Sequence, residues 1–263
     1  MSSATGIPVR DLFDLTGKTV IVTGGTGGIG LPTTSALAEA GADVVSIQAP
    51  NDPFGVSLKE AIERHNSKFA VFECNLKDYQ SIQKTFQQIW DAGIVPDILV
   101  NGAGITHHSK VVDTSIDTLD NVLDINVKAL YIISQEFGKR LLALARPGKI
   151  INIASMASYI AQEDISVYAS SKAFVRNLTR ASSNEWARHG IQCNCISPGF
   201  IQTPMCKHLY QDTEFNKHVV ERTSSRRWGY PDDLKGLMVF LASRASEFIT
   251  GESIVIDGGV LGR

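Results

Sequence analysis

Val22-Thr23-Gly24-Gly25-Thr26-Gly27-Gly28-Ile29-Gly30 sets five glycines between a β-branched run, Lys18 to Val22, and a helix-patterned run, Leu31 to Ala40. A strand that turns sharply into a helix while its backbone approaches a pyrophosphate needs residues without a Cβ. The phosphates then rest on unpaired N–H groups of the helix N-terminus, where the dipole favours negative charge. Glycines at this spacing also suit a flexible surface turn. The strand-like and helix-like flanks make the stretch a dinucleotide phosphate loop.

Outward from the loop, short apolar runs alternate with longer amphipathic ones, the rhythm of strand-helix-strand units in a parallel sheet. Strands are expected near Lys18 to Thr23, Asp43 to Ile47, Phe69 to Glu73, Ile98 to Val100, Lys149 to Ala154, Gln192 to Ile196 and Ser253 to Ile256. Helices are expected near Ile29 to Ala40, Ser57 to Asn66, Tyr79 to Ala92, Ile116 to Ala145, Ser166 to His189 and Pro231 to Ala242. This is an α/β chain, a Rossmann-type doubly wound parallel seven-stranded sheet in a single domain. Residues 1–15 read as a loosely held arm before the domain of residues 16–263, with no linker or repeat dividing the latter. The irregular stretch 198–230 follows a strand's carboxyl end, where open α/β sheets bind ligands, and reads as a mobile substrate lid.

With 263 residues, 43% of them hydrophobic, the chain is long enough to bury an extensive core. Its net charge of −2 gives no electrostatic case for nucleic acid or an anionic membrane surface. No basic start precedes an apolar core at the N-terminus, and no segment reaches the ~18 apolar residues of a membrane span, so a cytoplasmic protein is expected. Cys74, Cys193, Cys195 and Cys206 lack zinc-like spacing and read as buried free thiols; no metal site is expected.

Tyr168 and Lys172 are four residues apart on an expected helix, so they share a face. An ammonium beside a phenol stabilises the phenolate and suits the tyrosine to proton exchange with a carbinol or carbonyl, although the same spacing fits a solvated helix face. Ser155 directly follows an expected strand, at the edge where such folds build sites; its hydroxyl suits a reacting oxygen, or an ordinary helix cap. Asn126 sits within apolar Leu123-Asp124-Ile125-Asn126-Val127, where a buried amide needs partners, or holds a water beside the lysine.

Taken together, these motifs resemble the short-chain dehydrogenase/reductase family from about Leu15 to the C-terminus. Thr23-Gly24-x-x-x-Gly28-x-Gly30 is similar to its cofactor loop, Asn101-Gly102-Ala103-Gly104 to the segment after its fourth strand, and Asp257-Gly258-Gly259 to its ending. The resemblance implies Asn126, Ser155, Tyr168 and Lys172 as the catalytic four. It implies a cofactor held by Gly24, Thr26, Gly28, Ile29 and Gly30 of the loop, and by Gln48, Asn75 and Leu76 at the ends of the second and third strands. Asn101 and Ala103, then Pro198, Gly199, Ile201 and Thr203 near the carboxamide, complete that set with Tyr168 and Lys172.

Two departures stand out. Gly102 replaces a second asparagine, and Gln48 takes the place of the family's ribose-reading residue. Gln48 neither repels a 2′-phosphate, as an acid does, nor attracts one; with no Arg or Lys nearby, NAD(H) is favoured over NADP(H).

The implied activity is hydride transfer between a nicotinamide cofactor and a secondary alcohol or ketone, Tyr168 acting as acid or base with its pKa lowered by Lys172. Ile151 to Met156 and Asn184 to Ala187 look most like members acting on sugar acids of the 2-deoxy-gluconate type. For the small-molecule substrate, His107, Met156, Met205 and His208 are candidates, with His108 and Lys207 as further contacts for a carboxylate. Arg227 reads as structural. Met156, Tyr159, Met205 and Tyr210 could instead line a pocket for a cyclic or aromatic ketone, the alternative being an NADPH-dependent carbonyl reductase. A catalytically idle nucleotide-binding scaffold is a further alternative. The resemblance also implies a homotetramer or homodimer, with the helices of Asn126 and Tyr168 paired across a twofold axis.

Overall fold

Short runs of Val, Ile and Thr form the strands of a wholly parallel sheet: β1 (Thr19–Thr23), β2 (Asp43–Gln48), β3 (Phe69–Glu73), β4 (Ile98–Asn101), β5 (Gly148–Ile153), β6 (Ile191–Pro198) and β7 (Ser253–Ile256). The computed structural model describes residues 6–263. The strand order is β3-β2-β1-β4-β5-β6-β7. β1 pairs with β2 on one side and β4 on the other, Val20 standing opposite both Val44 and Ile98. Because the chain winds outward to β3 and then returns beside β1, a crevice opens at the carboxyl ends of β1 and β4.

Successive residues Val20, Ile21 and Val22 point to opposite faces, yet all are buried, so helices cover both sides. On one face α1 (Gly30–Glu39), α2 (Gly55–Glu63) and α9 (Lys235–Ala242) bury Leu37, Leu58 and Leu241 against Val20 and Val22. On the other, α3 (Tyr79–Asp91) and α5 (Leu130–Ala143) bury Phe86 and Phe137 against Ile21 and Leu99. Helical spacing of Ile82, Phe86 and Ile89 gives α3 its apolar stripe, and Asp78 caps it by accepting from Gln80 N at 2.9 Å.

Three expectations change. The single helix expected over Ile116 to Ala145 is α4 (Ile116–Leu123), a π turn over Asp124–Ala129, and α5. The stretch 198–230 is not irregular throughout: it carries α7 (Lys207–Gln211) and α8 (Thr213–Arg222), held by rings of Phe200, Phe215 and Tyr210 around buried Trp228. The arm is docked over its described part. Leu15 is only 1% exposed and donates its N–H to Ala40 O at 2.8 Å, and the Phe13 ring lies 6.3 Å from that of Phe240. Two apolar side chains give this polar segment its hold; the first five residues lie outside the described ones.

Candidate active site

Between Thr23 and Gly30 the chain turns from β1 into α1 against its neighbours' backbone. A Cβ on Gly24, whose φ is +68°, would stand 2.6 Å from Ala103 N, so the loop lies directly on the segment after β4. A Cβ on Gly28 would stand 2.8 Å from Thr203 Cβ, which brings the segment after β6 over the loop's other side. Ile29, capping α1, supplies no side-chain hydrogen bond, and the first turn of α1 contains no acid. Leu31 N and Thr33 N already donate to Gly27 O and Ile29 O and Pro32 has no N–H, so the donors that remain for an anion are the N–H groups of Gly28, Ile29 and Gly30, and the cradle fits a dinucleotide pyrophosphate.

At the adenosine end the side chains differ from expectation. Gln48 is buried, donates from Nε2 to Ser46 Oγ at 3.1 Å, and sets Oε1 2.8 Å from where a Cβ on Gly55 would stand. It is folded against the start of α2 rather than over the loop. Asn75 accepts from Lys77 N at 3.2 Å, closing a turn, and Leu76 packs on the core beneath α3. Asn101 donates to Ser134 Oγ and Asn152 Oδ1 at 3.0 and 2.8 Å, tying β4 to α5 and β5.

The group sequence reading missed is Asp52, whose Oδ2 accepts from Thr26 Oγ1 at 2.7 Å. The signal in the sequence is an acid four residues beyond Gln48.

Ser155 follows β5 by two residues, is buried, and accepts from Ala157 N at 3.1 Å; its hydroxyl is near enough to the Tyr168 phenol to act on that group's pKa. Tyr168 lies in the first turn of α6 (Ser166–Trp186), and Lys172 one turn on. Lys172 is 6% exposed, donates from Nζ to Ile153 O at 2.8 Å, and has Nζ 5.8 Å from the Tyr168 ring centre. Burial draws its pKa down to about 8. Desolvation raises the Tyr168 pKa above its ordinary 10.0, against the opposing Ser155 hydrogen bond. The expected lowering is therefore not found: burial outweighs it, and the Lys172 ammonium donates to the Ile153 carbonyl.

The π turn projects Asn126 inward, an extra residue shifting the helical register there. Its Nδ2 donates to Ile105 O at 2.9 Å and Ser171 Oγ at 3.0 Å, and its Oδ1 accepts from Ile105 N at 2.9 Å. A Cβ on Gly104 would come 3.3 Å from both Asn126 Oδ1 and Lys172 Nζ. Asn126, Lys172 and the segment after β4 therefore meet at one point.

The rings of His108 and His208 stand 6.2 Å apart, edge to face, joining the segment after β4 to α7; His107 is half-buried beside them. Burial lowers the His108 pKa below 6.5, and the charges of His208 and His107 add to that. Met205, in the turn Pro204–Cys206 before α7, is 52% exposed, whereas Met156 is buried. Tyr159 is committed elsewhere, its hydroxyl donating to Ser253 O at 3.0 Å and its ring lying 4.0 Å from the Arg176 guanidinium. Tyr210 packs on Trp228, and Arg227 pairs with Asp233 through bonds of 2.7 and 3.0 Å. Among the described residues no helix is long and apolar enough to cross a membrane. The four cysteines are unpaired, and three of them are buried.

A family model described as enoyl-(acyl carrier protein) reductase matches residues 24–261. The chain is 38% identical over 258 residues to a 2-dehydro-3-deoxy-D-gluconate 5-dehydrogenase from Bacillus subtilis, covering 97% of this chain and 99% of that one. It is 35% identical to a gluconate 5-dehydrogenase from Gluconobacter oxydans, over 95% and 97% of the two chains. A gluconate 5-dehydrogenase from Burkholderia cenocepacia, solved in complex with NADP and tartrate, superposes with a TM-score of 0.92 at 32% identity, over 97% of this chain and 100% of that one. These matches span the glycine loop, the π turn of Asn126 and the Ser155, Tyr168 and Lys172 corner alike, and the chain belongs to the short-chain dehydrogenase/reductase family.

Proposed function

We propose that this nicotinamide-dependent oxidoreductase interconverts a secondary hydroxyl and a ketone on a sugar acid of the gluconate or 2-dehydro-3-deoxy-gluconate class. The observation that carries the reading is the convergence of buried Ser155, Tyr168 and, one turn on, Lys172 with Nζ 5.8 Å from the Tyr168 ring, beside a glycine cradle that fits a pyrophosphate. The substrate class rests on relatives of matching length that bear those names.

When bound, the nicotinamide supplies or accepts the hydride. In reduction Tyr168 donates its phenolic proton to the carbonyl oxygen as that oxygen becomes an alkoxide; in oxidation it removes the carbinol proton. Ser155 donates to the same oxygen, a contact that strengthens as negative charge develops. Lys172 holds positive charge near the phenolate that reduction leaves behind. Asn126 fixes Ile105 and Ser171 on either side of the lysine, with a water relay beside it.

His107, His108, Lys207 and His208 present donors for a carboxylate at the mouth, Met205 and Met156 shape the wall, and residues 198–230 act as the lid. Tyr159 and Tyr210 are engaged by Ser253, Arg176 and Trp228 rather than free to line a pocket for a cyclic ketone. The expectation of NAD(H) gains no support from Gln48, which is turned inward, and the Burkholderia relative was solved with NADP. Self-association into a dimer or tetramer through the helices of Asn126 and Tyr168, in the cytoplasm, completes the reading.

Steady-state turnover, followed by nicotinamide absorbance, tests it. D-gluconate and 2-dehydro-3-deoxy-D-gluconate should be oxidised, and cyclic ketones should not be reduced. Reduction of cyclic ketones alone would move the assignment to a carbonyl reductase, and nucleotide binding with no turnover of any such compound would leave a scaffold.

A further inference from the structure

We propose that Ser158 is a positioning residue for the reaction: its hydroxyl ties the turn that follows Ser155 to the helix that carries Tyr168 and Lys172, and so brings Ser155 and Tyr168 to bear on one substrate oxygen. The turn Met156–Ser158 is closed on itself, Ala157 N donating to Ser155 Oγ at 3.1 Å and Ser158 N to Ser155 O at 2.9 Å. Its contact with α6 is otherwise apolar. Ala157 packs with Ile165, Ala169 and Tyr168, a non-directional attraction that resists separation but not sliding. Buried Ser158 supplies the direction, donating from Oγ to Lys172 O at 2.7 Å, the one hydrogen bond among the described residues between this turn and α6.

Lys172 is thereby gripped at both ends by one segment. Its ammonium donates to Ile153 O at 2.8 Å, at the end of β5, and its own carbonyl receives the Ser158 hydroxyl from further along the same segment. Residues 153–158 and the first turns of α6 therefore form one unit that contains Ser155, Tyr168 and Lys172. Acid–base work on a single oxygen needs that unit, because both hydroxyls must come within about 3 Å of it and a misplacement of about 1 Å costs on the order of 100-fold in rate. Alanine at position 158 removes only the tie. The turn keeps its backbone bonds, and Lys172 O still accepts within α6, so no buried carbonyl is left unpaired. The glycine cradle is built on Gly24, Gly28 and the segments after β4 and β6, so pyrophosphate binding does not depend on Ser158.

This role rests on the reading above that Ser155 and Tyr168 act on one oxygen of a sugar acid. The wild type, Ser158→Ala and Ser158→Thr are compared in kcat and KM across pH for oxidation of D-gluconate or 2-dehydro-3-deoxy-D-gluconate, whichever the wild type turns over faster. Nicotinamide fluorescence reports nucleotide binding, and melting temperatures report folding. Ser158→Ala should lower kcat on the order of ten-fold with nucleotide affinity unchanged. Because the Ser155 hydroxyl opposes the rise in the Tyr168 pKa, slackening the turn should also move the rising limb of oxidation to higher pH, which a loss of stability alone does not do. The other titratable neighbours of the phenol, Lys172 and Cys206, are the same in all three proteins. Ser158→Thr, which keeps the hydroxyl, should restore both rate and profile. Full kcat in Ser158→Ala, a slower Ser158→Ala with its pH profile unmoved, or a folded Ser158→Thr no better than Ser158→Ala would overturn the role. A wild type that binds nicotinamide yet oxidises neither sugar acid would overturn the reading of the site, and this role with it.

Discussion

An ammonium withdrawn from water holds its proton less tightly, and Lys172, with a pKa drawn to about 8 by burial, is destabilising for the ligand-free fold. In the unfolded chain its pKa returns to 10.5, so the unfolded state binds more protons between pH 8 and 10.5. The penalty is therefore complete below pH 8 and fades as pH rises toward 10.5. It amounts to roughly 3 kcal/mol, and removing the ammonium would expose the Ile153 carbonyl to a loss of about 1–3 kcal/mol. Lys172→Met should raise the ligand-free melting temperature at pH 7 by about 2–4 °C while lowering turnover at least ~100-fold. The gain in melting temperature should vanish between about pH 8 and 10 and reverse by pH 10.5; a variant less stable at pH 7 would contradict this balance. Tyr168 gives a second expectation. Because burial raises its pKa, the phenolate becomes more populated as pH climbs toward and past 10, so kcat/KM for alcohol oxidation should rise across that range. Reduction, which needs the protonated phenol, should be level and then fall. Parallel profiles in the two directions would remove Tyr168 from the proton transfer. At this scale Ser155, Tyr168 and Lys172 were legible because their spacing on a strand end and one helix face is set by local geometry. Gln48 and Asp52 were not, since which of them faces the loop is decided by Ser46, Gly55 and Thr26, partners that only the folded chain brings near.

Elements carry the precision of the site. The π turn Asp124–Ala129 lets Asn126 reach Ile105 and Ser171, and Asn126 and Lys172 come together around Gly104. Gly104→Ala would place a methyl 3.3 Å from Asn126 Oδ1 and Lys172 Nζ, both already hydrogen-bonded and buried. A displacement of a few tenths of an ångström should follow, lowering kcat on the order of ten-fold with little change in melting temperature. An unaltered kcat would show that this junction does not position the lysine. The strands were readable as runs of Val, Ile and Thr, and α1, α3 and α6 as apolar stripes. The break between α4 and α5 was hidden, because a π turn leaves the apolar spacing almost intact and its cause is the bonding of one buried amide. α7 and α8 were hidden as well: α7 has five residues, too few to be stable alone, and the aromatic cluster around Trp228 gathers the segment.

For the whole molecule, seven alternating units sufficed to indicate a doubly wound sheet, and the crevice follows from where the winding reverses between β3 and β4. Assembly is less visible in the sequence, because it depends on which apolar side chains the fold leaves outside. A hollow of about 390 Å³ between α3, the π turn, α5 and α6 is lined by Leu76, Val127, Tyr131 and Phe174, and Tyr131 is 48% exposed. A second copy covering this face would bury those rings, so the native mass should be that of a dimer or tetramer, and Tyr131→Glu should shift it toward the monomer. A wild-type monomer at micromolar concentration would contradict that assembly. The most direct measurement of all is transfer of deuterium from a reduced nicotinamide deuterated at both C4 positions to the keto form of a sugar acid, read by mass spectrometry of the product, for the wild type and Tyr168→Phe. The wild type should place one deuterium on the new carbinol carbon, and Tyr168→Phe should bind the nucleotide as well but form product on the order of 10²–10⁴ times more slowly. An unlabelled sugar acid with the wild type, or undiminished transfer by Tyr168→Phe, would contradict the assignment.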